Sequence, residues 1–397
     1  HKRMSGVKEG HSLALLNLGT YPPKKCGIAS FSYDLRESLL QAGSQVYVAA
    51  VSEGDVSYDY PQEVIYRLTQ EQRVDYGATA RLINASARID AVIIQHEYGI
   101  FGGADGEYIL DFVAQLKKPY VLVAHTVLPH PSPNQRAVLA RLTLRAAATV
   151  CMTRRSARLL ARTYAVPPRK VFVIPHGVPA FVPQDRELLK AKYGLVGRDV
   201  VTTFGLIGPG KGLENGIRAV AQLVDRYPSL MYWIAGGTHP VLLRREGERY
   251  REMLVDLVQQ LGLEKHVTFV NHFLELDELG DYLYMTDIYL SPYPNRDQAV
   301  SGTLAYAMGC GRAIVSTPYE YALELLAGGQ RGLVAAATTP EAIAVQMERL
   351  LAHPEFKRQL ELHASEYGRT LSWSSVAGQY VALLDKVVRV HQAEVTA

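Results

Sequence analysis

Short hydrophobic segments alternate with segments of helical periodicity along most of this 397-residue chain. The run Tyr120–Ala124, for example, is hydrophobic throughout, whereas hydrophobic residues recur at every third or fourth position in 135–146. Strands that alternate with helices favour parallel sheets covered by helices on both faces. A chain of this length can also form two domains that each have a core. The sequence therefore predicts an α/β protein with parallel sheets.

The hydrophobic pattern gives bounds for the individual elements. The expected strands are 12–18, 45–50, 91–95, 120–124, 148–152, 171–174, 200–205, 231–235, 267–270, 288–290, 313–316 and 332–334. The expected helices are 30–42, 76–87, 107–116, 135–146, 153–164, 213–227, 246–261, 275–285, 302–308, 321–326, 340–351, 354–365 and 373–392.

The segment 290–318 combines a strand, a turn, a helix and a second strand. Its helix opens on Ser301-Gly302-Thr303, where backbone N–H groups and the positive end of the helix dipole are available. Such a helix start is a binding site for phosphate groups. An ordinary strand–helix–strand packing unit is the alternative.

The end of this helix, Ala307-Met308-Gly309-Cys310-Gly311, is similar to the end of the donor-site signature of retaining glycosyltransferases of the GT-B fold, family 4 (glycosyl transferases group 1). The usual signature also carries two glutamates. Gln298 and Tyr306 stand at those two positions here, so the chain resembles an atypical member of the family.

The resemblance implies a GT-B fold, with two Rossmann-like doubly wound domains that face a central cleft. The N-terminal domain, 1–182, would bind the acceptor, and the C-terminal domain, 183–375, would bind the nucleotide-sugar donor. Prolines cluster between 179 and 183, as expected of a boundary. The last segment, 376–397, continues an amphipathic helix, and the resemblance implies that it packs back on the first domain.

A loop rich in glycine and proline follows the first predicted strand, at Tyr21–Phe31. Gly27 would let the backbone approach a ligand, and the next helix would point its N-terminus at that ligand. The loop resembles the family's first-strand loop, which implies that Cys26 contacts the acceptor and Gly27 the donor. A helix-capping turn with Ser30 as the cap is the alternative.

Polar residues stand at the ends of two further predicted strands. His96, Glu97 and Tyr98 directly follow an apolar strand, where open α/β sheets bind ligands, so these residues are predicted to contact the acceptor. A role in capping or structural hydrogen bonding is an equal alternative. His125 matches by position the histidine that the family places beside the donor sugar, which implies a catalytic role, and His130 is a further acceptor candidate.

A glycine-rich turn with a single lysine follows the strand predicted at 200–205. Lys211 precedes a helix in this turn and is suited by its charge to hold an anion. The turn resembles the family's motif whose arginine and lysine grip the donor diphosphate, although Leu206 takes the place of the arginine. The resemblance implies that Gly205 and Lys211 bind the donor and that Lys211 is also catalytic. Arg296 is a candidate substitute for the arginine.

The other donor contacts are implied by the resemblance alone. Asp297 and Gln298 lie near the expected sugar position and are assigned catalytic roles. Tyr306 stands where the ribose-binding glutamate belongs. The remaining predicted donor contacts are Gly236, His272, Ser301, Gly302 and Thr303.

The reaction implied is transfer of a hexosyl group from a nucleotide-diphosphate sugar to a glycan, lipid or small-molecule acceptor, with retention of the anomeric configuration. GDP-mannose is slightly preferred over UDP-glucose as the donor. The sequence has no Asp-x-Asp metal motif, so neither a metal nor a cofactor is expected. Two alternatives stay open: phosphorylase-type transfer with inorganic phosphate, and a non-catalytic sugar- or nucleotide-binding subunit.

Charge is unevenly distributed, although the net charge is only +3. Residues 112–184 contain no Asp or Glu, and the arginines of Arg136–Arg162 recur at helical spacing. This basic face predicts peripheral contact with an anionic membrane or an anionic acceptor, and a solvated helix surface is the alternative. Nucleic acid is not expected as a partner, because aromatic residues do not alternate with the basic ones.

Cysteine usage and hydropathy bear on the cellular location. The three cysteines lie far apart without metal-ligand spacing, which favours a reducing compartment. No hydrophobic run reaches the length of a membrane span, and no signal-peptide core follows the basic start. A cytoplasmic location is expected, with a peripheral position at the inner face of the membrane as a variant of it.

Overall fold

The structure, a computed structural model, describes residues 12–297 and 300–397. The chain forms two compact units. The first unit runs to Cys151 and also contains Ser156–Ile174 and Ala377–Ala397. The second unit consists of Met152–Arg155 and Pro175–Val376. The domain bounds expected from the sequence stay predictions.

The first unit contains a seven-stranded sheet that is parallel throughout, with the strand order β3-β2-β1-β4-β5-β6-β7. Its strands are β1 Ala14–Gly19, β2 Gln45–Ser52, β3 Val64–Thr69, β4 Ala91–His96, β5 Tyr120–Ala124, β6 Ala148–Cys151 and β7 Val171–Val173. The helices of this half are α1 Gly27–Gln41, α2 Arg73–Ala85, α3 Ile109–Gln115, α4 Pro133–Arg145 and α5 Arg154–Thr163.

The second unit contains a six-stranded parallel sheet with the strand order β10-β9-β8-β11-β12-β13. Its strands are β8 Asp199–Phe204, β9 Leu230–Ala235, β10 Val267–Val270, β11 Ile288–Ser291, β12 Ala313–Ser316 and β13 Leu333–Val334. The helices are α6 Arg186–Lys192, α7 Leu213–Leu223, α8 Pro240–Glu246, α9 Arg249–Gln260, α10 Leu276–Met285, α11 Gly302–Gly309, α12 Glu320–Leu325, α13 Pro340–Ala352, α14 Pro354–Gly368 and α15 Trp373–Thr396, whose last part belongs to the first unit.

The predicted α/β architecture is confirmed, with two parallel sheets and alternating helices. The central strands β4 and β5 are buried along their whole length, as hydrophobic runs in a sheet covered on both faces should be. Each sheet reverses its strand order once, between β1 and β4 in the first unit and between β8 and β11 in the second. Ligands of open α/β sheets bind at the carboxyl ends of strands beside such a reversal.

Three elements differ from the expectation. β3 was not predicted, because it is half exposed and carries Arg67, so that its sequence has no continuous hydrophobic run. Helix α6 was not predicted either. It begins after the cap Asp185, whose side chain accepts a hydrogen bond from the Leu188 backbone N–H. The helix predicted over 246–261 is interrupted at Gly247, which has a φ of 64° and ends α8. In the described part of the chain, no helix is both long enough and apolar enough to cross a membrane.

Candidate functional site

A chain of three polar side chains crosses the carboxyl end of the first sheet. The Gln95 side-chain amide donates to Asn17 Oδ1 over 2.9 Å, and Gln95 Oε1 lies 2.7 Å from His125 Nε2. Because this oxygen can only accept, Nε2 of His125 carries the proton and donates it. The Phe31 ring also packs edge-on against His125, with 4.7 Å between the ring centroids. The ring predicted to act on the donor sugar is thus fixed in tautomer and orientation.

His96, by contrast, lies inside the first unit. Its side chain is fully buried, and neither ring nitrogen has a hydrogen-bond partner in the described part of the chain. The rings of Tyr98 and Phe101 pack around it, at 4.9 and 6.3 Å between centroids. Burial lowers the pKa of His96 to about 4. The ring is neutral and shielded from solvent, and its predicted contact with an acceptor stays a prediction.

This burial predicts a loss of stability in acid. Between pH 6.5 and 4 the unfolded chain protonates His96 but the folded chain does not, so the free energy of unfolding should fall across that window by about 3 kcal/mol. His96→Phe keeps the ring contacts and should remove this part of the pH dependence in urea unfolding at pH 7, 5.5 and 4.5. His130→Phe, at an exposed position, is the control. Equal pH dependence in the wild type and His96→Phe would contradict the argument.

Glu97 and Tyr98 make structural contacts at the end of β4. The Glu97 carboxylate accepts hydrogen bonds from the Thr126 hydroxyl at 2.5 Å and from the Tyr98 backbone N–H at 3.2 Å, and burial raises the pKa of this carboxyl. The Tyr98 hydroxyl donates to the Gln135 backbone carbonyl over 3.3 Å. The structural alternative weighed for these residues is thus present, and their contact with an acceptor stays a prediction.

Helix α1 starts three residues before its predicted start, so that Cys26 rather than Ser30 is its cap. Cys26 Sγ accepts from the Ala29 backbone N–H at 3.4 Å and lies 3.3 Å from the Thr20 hydroxyl. A Cβ atom added to Gly27 would meet no described protein atom within 4 Å, so the helix start borders open space. His130 is exposed in the segment before α4.

In the second unit, the loops after β8, β9 and β11 approach one another at two glycines. Gly236 has a φ of 143°, and a Cβ atom there would lie 1.8 Å from the carbonyl oxygen of Gly205. Gly212 has a φ of 66°, and its Cβ atom would lie 2.0 Å from the carbonyl oxygen of Pro292. Only glycine fits both the backbone conformation and the space at these positions. The glycines bring the three loops together at the strand-order reversal of the second sheet.

Lys211 stands at this junction. Its Nζ atom lies 4.9 Å from the centroid of the Tyr293 ring, a cation–π contact with the loop after β11, and Lys211 makes no ion pair within the described residues. The Tyr293 hydroxyl is 3.4 Å from Ser301 Oγ, which caps α11 by accepting from the Leu304 backbone N–H at 3.3 Å. Lys211 is thus connected to the start of α11 through the side chains of Tyr293 and Ser301.

The first turn of α11 is supported by side chains from both sides. The Tyr289 hydroxyl donates to Thr303 Oγ1 over 2.8 Å. A Cβ atom on Gly302 would lie 3.3 Å from His176 Nε2 and 3.8 Å from the Tyr306 hydroxyl. Tyr306, which replaces the expected glutamate, therefore places its hydroxyl over the helix start. Its ring packs against those of Phe181 and His176, at 5.7 and 6.0 Å between centroids.

Three further predicted residues lie in exposed surroundings. The Asp297 carboxylate is 3.6 Å from the guanidinium of Arg155, which also belongs to the second unit. Arg296 is exposed in the same turn, where its backbone carbonyl accepts from the Glu320 N–H at 2.9 Å. His272 Nε2 lies 2.8 Å from Glu278 Oε1 after β10. Gln298, the remaining residue predicted near the sugar, lies outside the described residues.

An open groove lies between the loop after β8 and helix α8. We call it the α8 groove, and its volume is about 390 Å³. It is lined by Leu206, Gly208, Pro209, Gly210, Lys211, His239, Val241, Leu242, Arg245 and Glu246. Lys211 is therefore shared between the groove and the start of α11.

Several site residues were not predicted. Asn17 and Gln95 are polar residues inside hydrophobic strands, and that contrast is a signal that could have found them. Tyr293 and Arg245 carry no such signal, because only the folded loops bring them to Lys211. No group of three or more His, Cys, Asp or Glu side chains in residues 12–297 and 300–397 is arranged to hold a metal ion.

The matches to protein families agree with this geometry. The model described as Glycosyltransferase Family 4 matches residues 26–180, and the one described as Glycosyl transferases group 1 matches residues 185–369. The two units and their strand-end loops thus define an α/β protein of the GT-B class. Since the two models together match most of the chain, it belongs to family 4 of the glycosyltransferases, as its sequence motifs predicted.

Individual relatives are similar over part of their length. The D-inositol 3-phosphate glycosyltransferase of Nocardiopsis dassonvillei is 26% identical over 225 residues, which are 55% of this chain and 51% of the relative. The GDP-mannose-dependent alpha-(1-6)-phosphatidylinositol monomannoside mannosyltransferase of Mycolicibacterium smegmatis is 30% identical over 177 residues, 43% of this chain and 44% of the relative. The chain thus spans about half the length of the curated relatives it matches.

A solved structure shows the same fold over nearly the whole chain. The sucrose-phosphate synthase of Thermosynechococcus elongatus has a TM-score of 0.78 and 17% sequence identity, and the match covers 95% of this chain and 100% of that protein. At this identity the likeness establishes the GT-B fold and leaves the substrate open.

Proposed function

We propose that this chain transfers a hexosyl group from a nucleotide-diphosphate sugar to an acceptor, with retention of the anomeric configuration. The observation that carries the proposal is the placement of Lys211. Its ammonium group has no acidic partner in the described residues, lies against Tyr293, and is joined through Tyr293 and Ser301 to the start of α11. A positive side chain and a helix N-terminus at a strand-order reversal suit the binding of phosphate groups.

Lys211 and the start of α11 would also assist the chemical step. When the bond between the sugar and the diphosphate breaks, negative charge grows on the leaving phosphate. Lys211 and the backbone N–H groups at the start of α11 would stabilise this charge without needing to rearrange. The proposal assigns this role to them rather than to a metal ion or another cofactor. The roles predicted for His125 and Asp297 at the sugar belong to the same proposal.

The substrates are proposed by chemical class. GDP-mannose is the preferred donor and UDP-glucose the second choice, a ranking supported by the relative that is named for its dependence on GDP-mannose. The acceptor is proposed to be a glycan, a lipid or a small molecule, and two relatives are named for D-inositol 3-phosphate and for phosphatidylinositol monomannoside.

Peripheral contact with an anionic membrane also stays a proposal. Arg136 and Arg141 on α4 and Arg158 and Arg162 on α5 are exposed, and so is Leu144, which lies three residues after Arg141 on α4. Exposed basic side chains on a helix that also exposes an apolar residue suit the surface of an anionic bilayer. A solvated surface is the alternative.

Thermal unfolding with UDP, GDP, ADP and inorganic phosphate tests the donor class. One nucleoside diphosphate, at about 100 times its Kd, should raise the melting temperature by roughly 5 °C, because a ligand that binds only the folded state stabilises it. The corresponding nucleoside is the control. A further sample contains inorganic phosphate together with a sugar, and stabilisation in that sample alone would favour phosphorylase-type transfer. If no nucleotide raises the melting temperature, the proposal is wrong.

A further inference from the structure

The α8 groove presents a second positive side chain to the ligand that Lys211 would bind. Helix α8 turns Val241, Leu242, Arg245 and Glu246 toward the groove. These positions form one face, because residues four apart lie above one another on a helix. Arg244, the neighbour of Arg245, lies off this face and does not line the groove.

The position of α8 relative to the Lys211 loop is fixed by the backbone. Ile207 and Thr238 form a parallel bridge, in which the Ile207 N–H donates to the Gly237 carbonyl at 2.8 Å. The His239 N–H in turn donates to the Ile207 carbonyl at 2.9 Å. His239 Nδ1 accepts from the Val241 N–H at 3.2 Å and caps the helix. The face with Arg245 is therefore held opposite the loop that ends at Lys211.

The charges that line the groove are those of Lys211, Arg245 and Glu246. His239 uses its Nδ1 atom to accept the capping hydrogen bond. Within the described residues, Arg245 makes no hydrogen bond or ion pair, and Lys211 makes only its ring contact among side chains. The groove thus carries a net positive charge, and this charge depends on Arg245. Two unpaired cations facing one groove suit a ligand with two adjacent anionic groups.

We infer that Arg245 binds the diphosphate of the donor together with Lys211, and that the α8 groove holds the nucleoside-diphosphate end of the substrate. The inference rests on the proposed function and extends it to a residue outside the predicted motifs. A solvated arginine that stabilises the C-terminus of α8 is the competing explanation. Arg244 would share that helix-end role, which makes it the matched control.

The test is isothermal titration of the full chain with the nucleoside diphosphate that binds the wild type, and with the corresponding nucleoside. Arg245→Gln should weaken nucleoside-diphosphate binding by roughly ten- to hundredfold, because it removes a charge-assisted hydrogen bond to phosphate. Nucleoside binding should stay within twofold. Arg244→Gln should leave both affinities within twofold, and Arg245→Lys should restore part of the loss. The effect of Arg245→Gln should shrink as salt concentration rises.

Three sets of results would count against a role of Arg245 in binding the diphosphate. If the wild type binds a nucleoside diphosphate and Arg245→Gln binds it equally well, the inference fails while the proposed function stands. Equal losses in Arg245→Gln and Arg244→Gln, or equal losses for nucleoside and nucleoside diphosphate, would reduce Arg245 to a structural role. If the wild type binds no nucleoside diphosphate, the proposed function and the inference fail together.

Discussion

Replacing Lys211 by alanine should lower the rate of sugar transfer by about a hundred- to a thousandfold. Lys211 is the residue in which the sequence motif, the loop geometry and the absence of an acidic partner among the described residues coincide. Removing one preorganised group that stabilises charge in a transition state typically has an effect of this size. The loss should appear mainly in kcat, because the leaving phosphate gains charge as the sugar bond breaks.

The measurement is the initial rate of nucleoside-diphosphate release with donor and acceptor in excess. Lys211→Arg keeps the positive charge and should retain more activity than the alanine variant. Lys265→Ala removes an exposed lysine of the same unit and should behave like the wild type. Urea unfolding of each variant shows whether the unit is intact. Near-normal turnover in folded Lys211→Ala would remove this lysine from the mechanism.

Gly236→Ala should destabilise the second unit by about 3–5 kcal/mol, or prevent it from folding. The φ of 143° at this position is strained for any residue with a side chain, and the new methyl group would lie 1.8 Å from the Gly205 carbonyl oxygen. Both atoms belong to backbone that is tied into the sheet, since the Gly205 N–H donates to the Ala235 carbonyl and the Gly236 N–H donates to the Val270 carbonyl. No flexible side chain can move aside.

Gly328→Ala separates the steric clash from the strain of a positive φ. Gly328 lies in the left-handed helical region, with a φ of 63° and a ψ of 22°, and a Cβ atom there meets no described atom within 4 Å. Its substitution should cost only about 1–2 kcal/mol. Both free energies of unfolding can be obtained by urea titration, and similar values for the two variants would show that the loops after β8 and β9 do not approach as closely as described.

The sequence predicts the elements whose hydrophobic pattern is set by burial on both sides. Tyr120–Ala124 and Ala313–Ser316 coincide with β5 and β12 as predicted, because every residue of these two strands is buried and their sequences are correspondingly hydrophobic. Elements with few buried residues are harder to predict. The half-exposed β3 and the seven-residue α8 have too few buried residues to produce a clear period.

The residues of the candidate site also differ in whether the sequence alone could identify them. Lys211 could be found because glycines and a charged residue stand together in the sequence. The hydrogen-bonded chain from Asn17 through Gln95 to His125 joins β1, β4 and the end of β5, which meet only in the folded sheet. Arg245 reaches the groove only because the Ile207–Thr238 bridge positions α8. The depth of His96 was also out of reach, because a strand buried on both faces gives no sign of which polar residue is sealed inside.

The proposed hexosyl transfer can be tested directly. The wild-type chain is incubated with GDP-mannose or UDP-glucose in the presence of sugar-phosphate, inositol-phosphate and lipid-linked acceptors. Nucleoside diphosphate can be quantified by chromatography, and the anomeric proton of the product can be followed by NMR. We expect one donor to yield its nucleoside diphosphate together with a glycoside of retained configuration. If no donor and acceptor release nucleoside diphosphate, while inorganic phosphate and a glycoside yield a sugar 1-phosphate, the chain is not a nucleotide-sugar transferase.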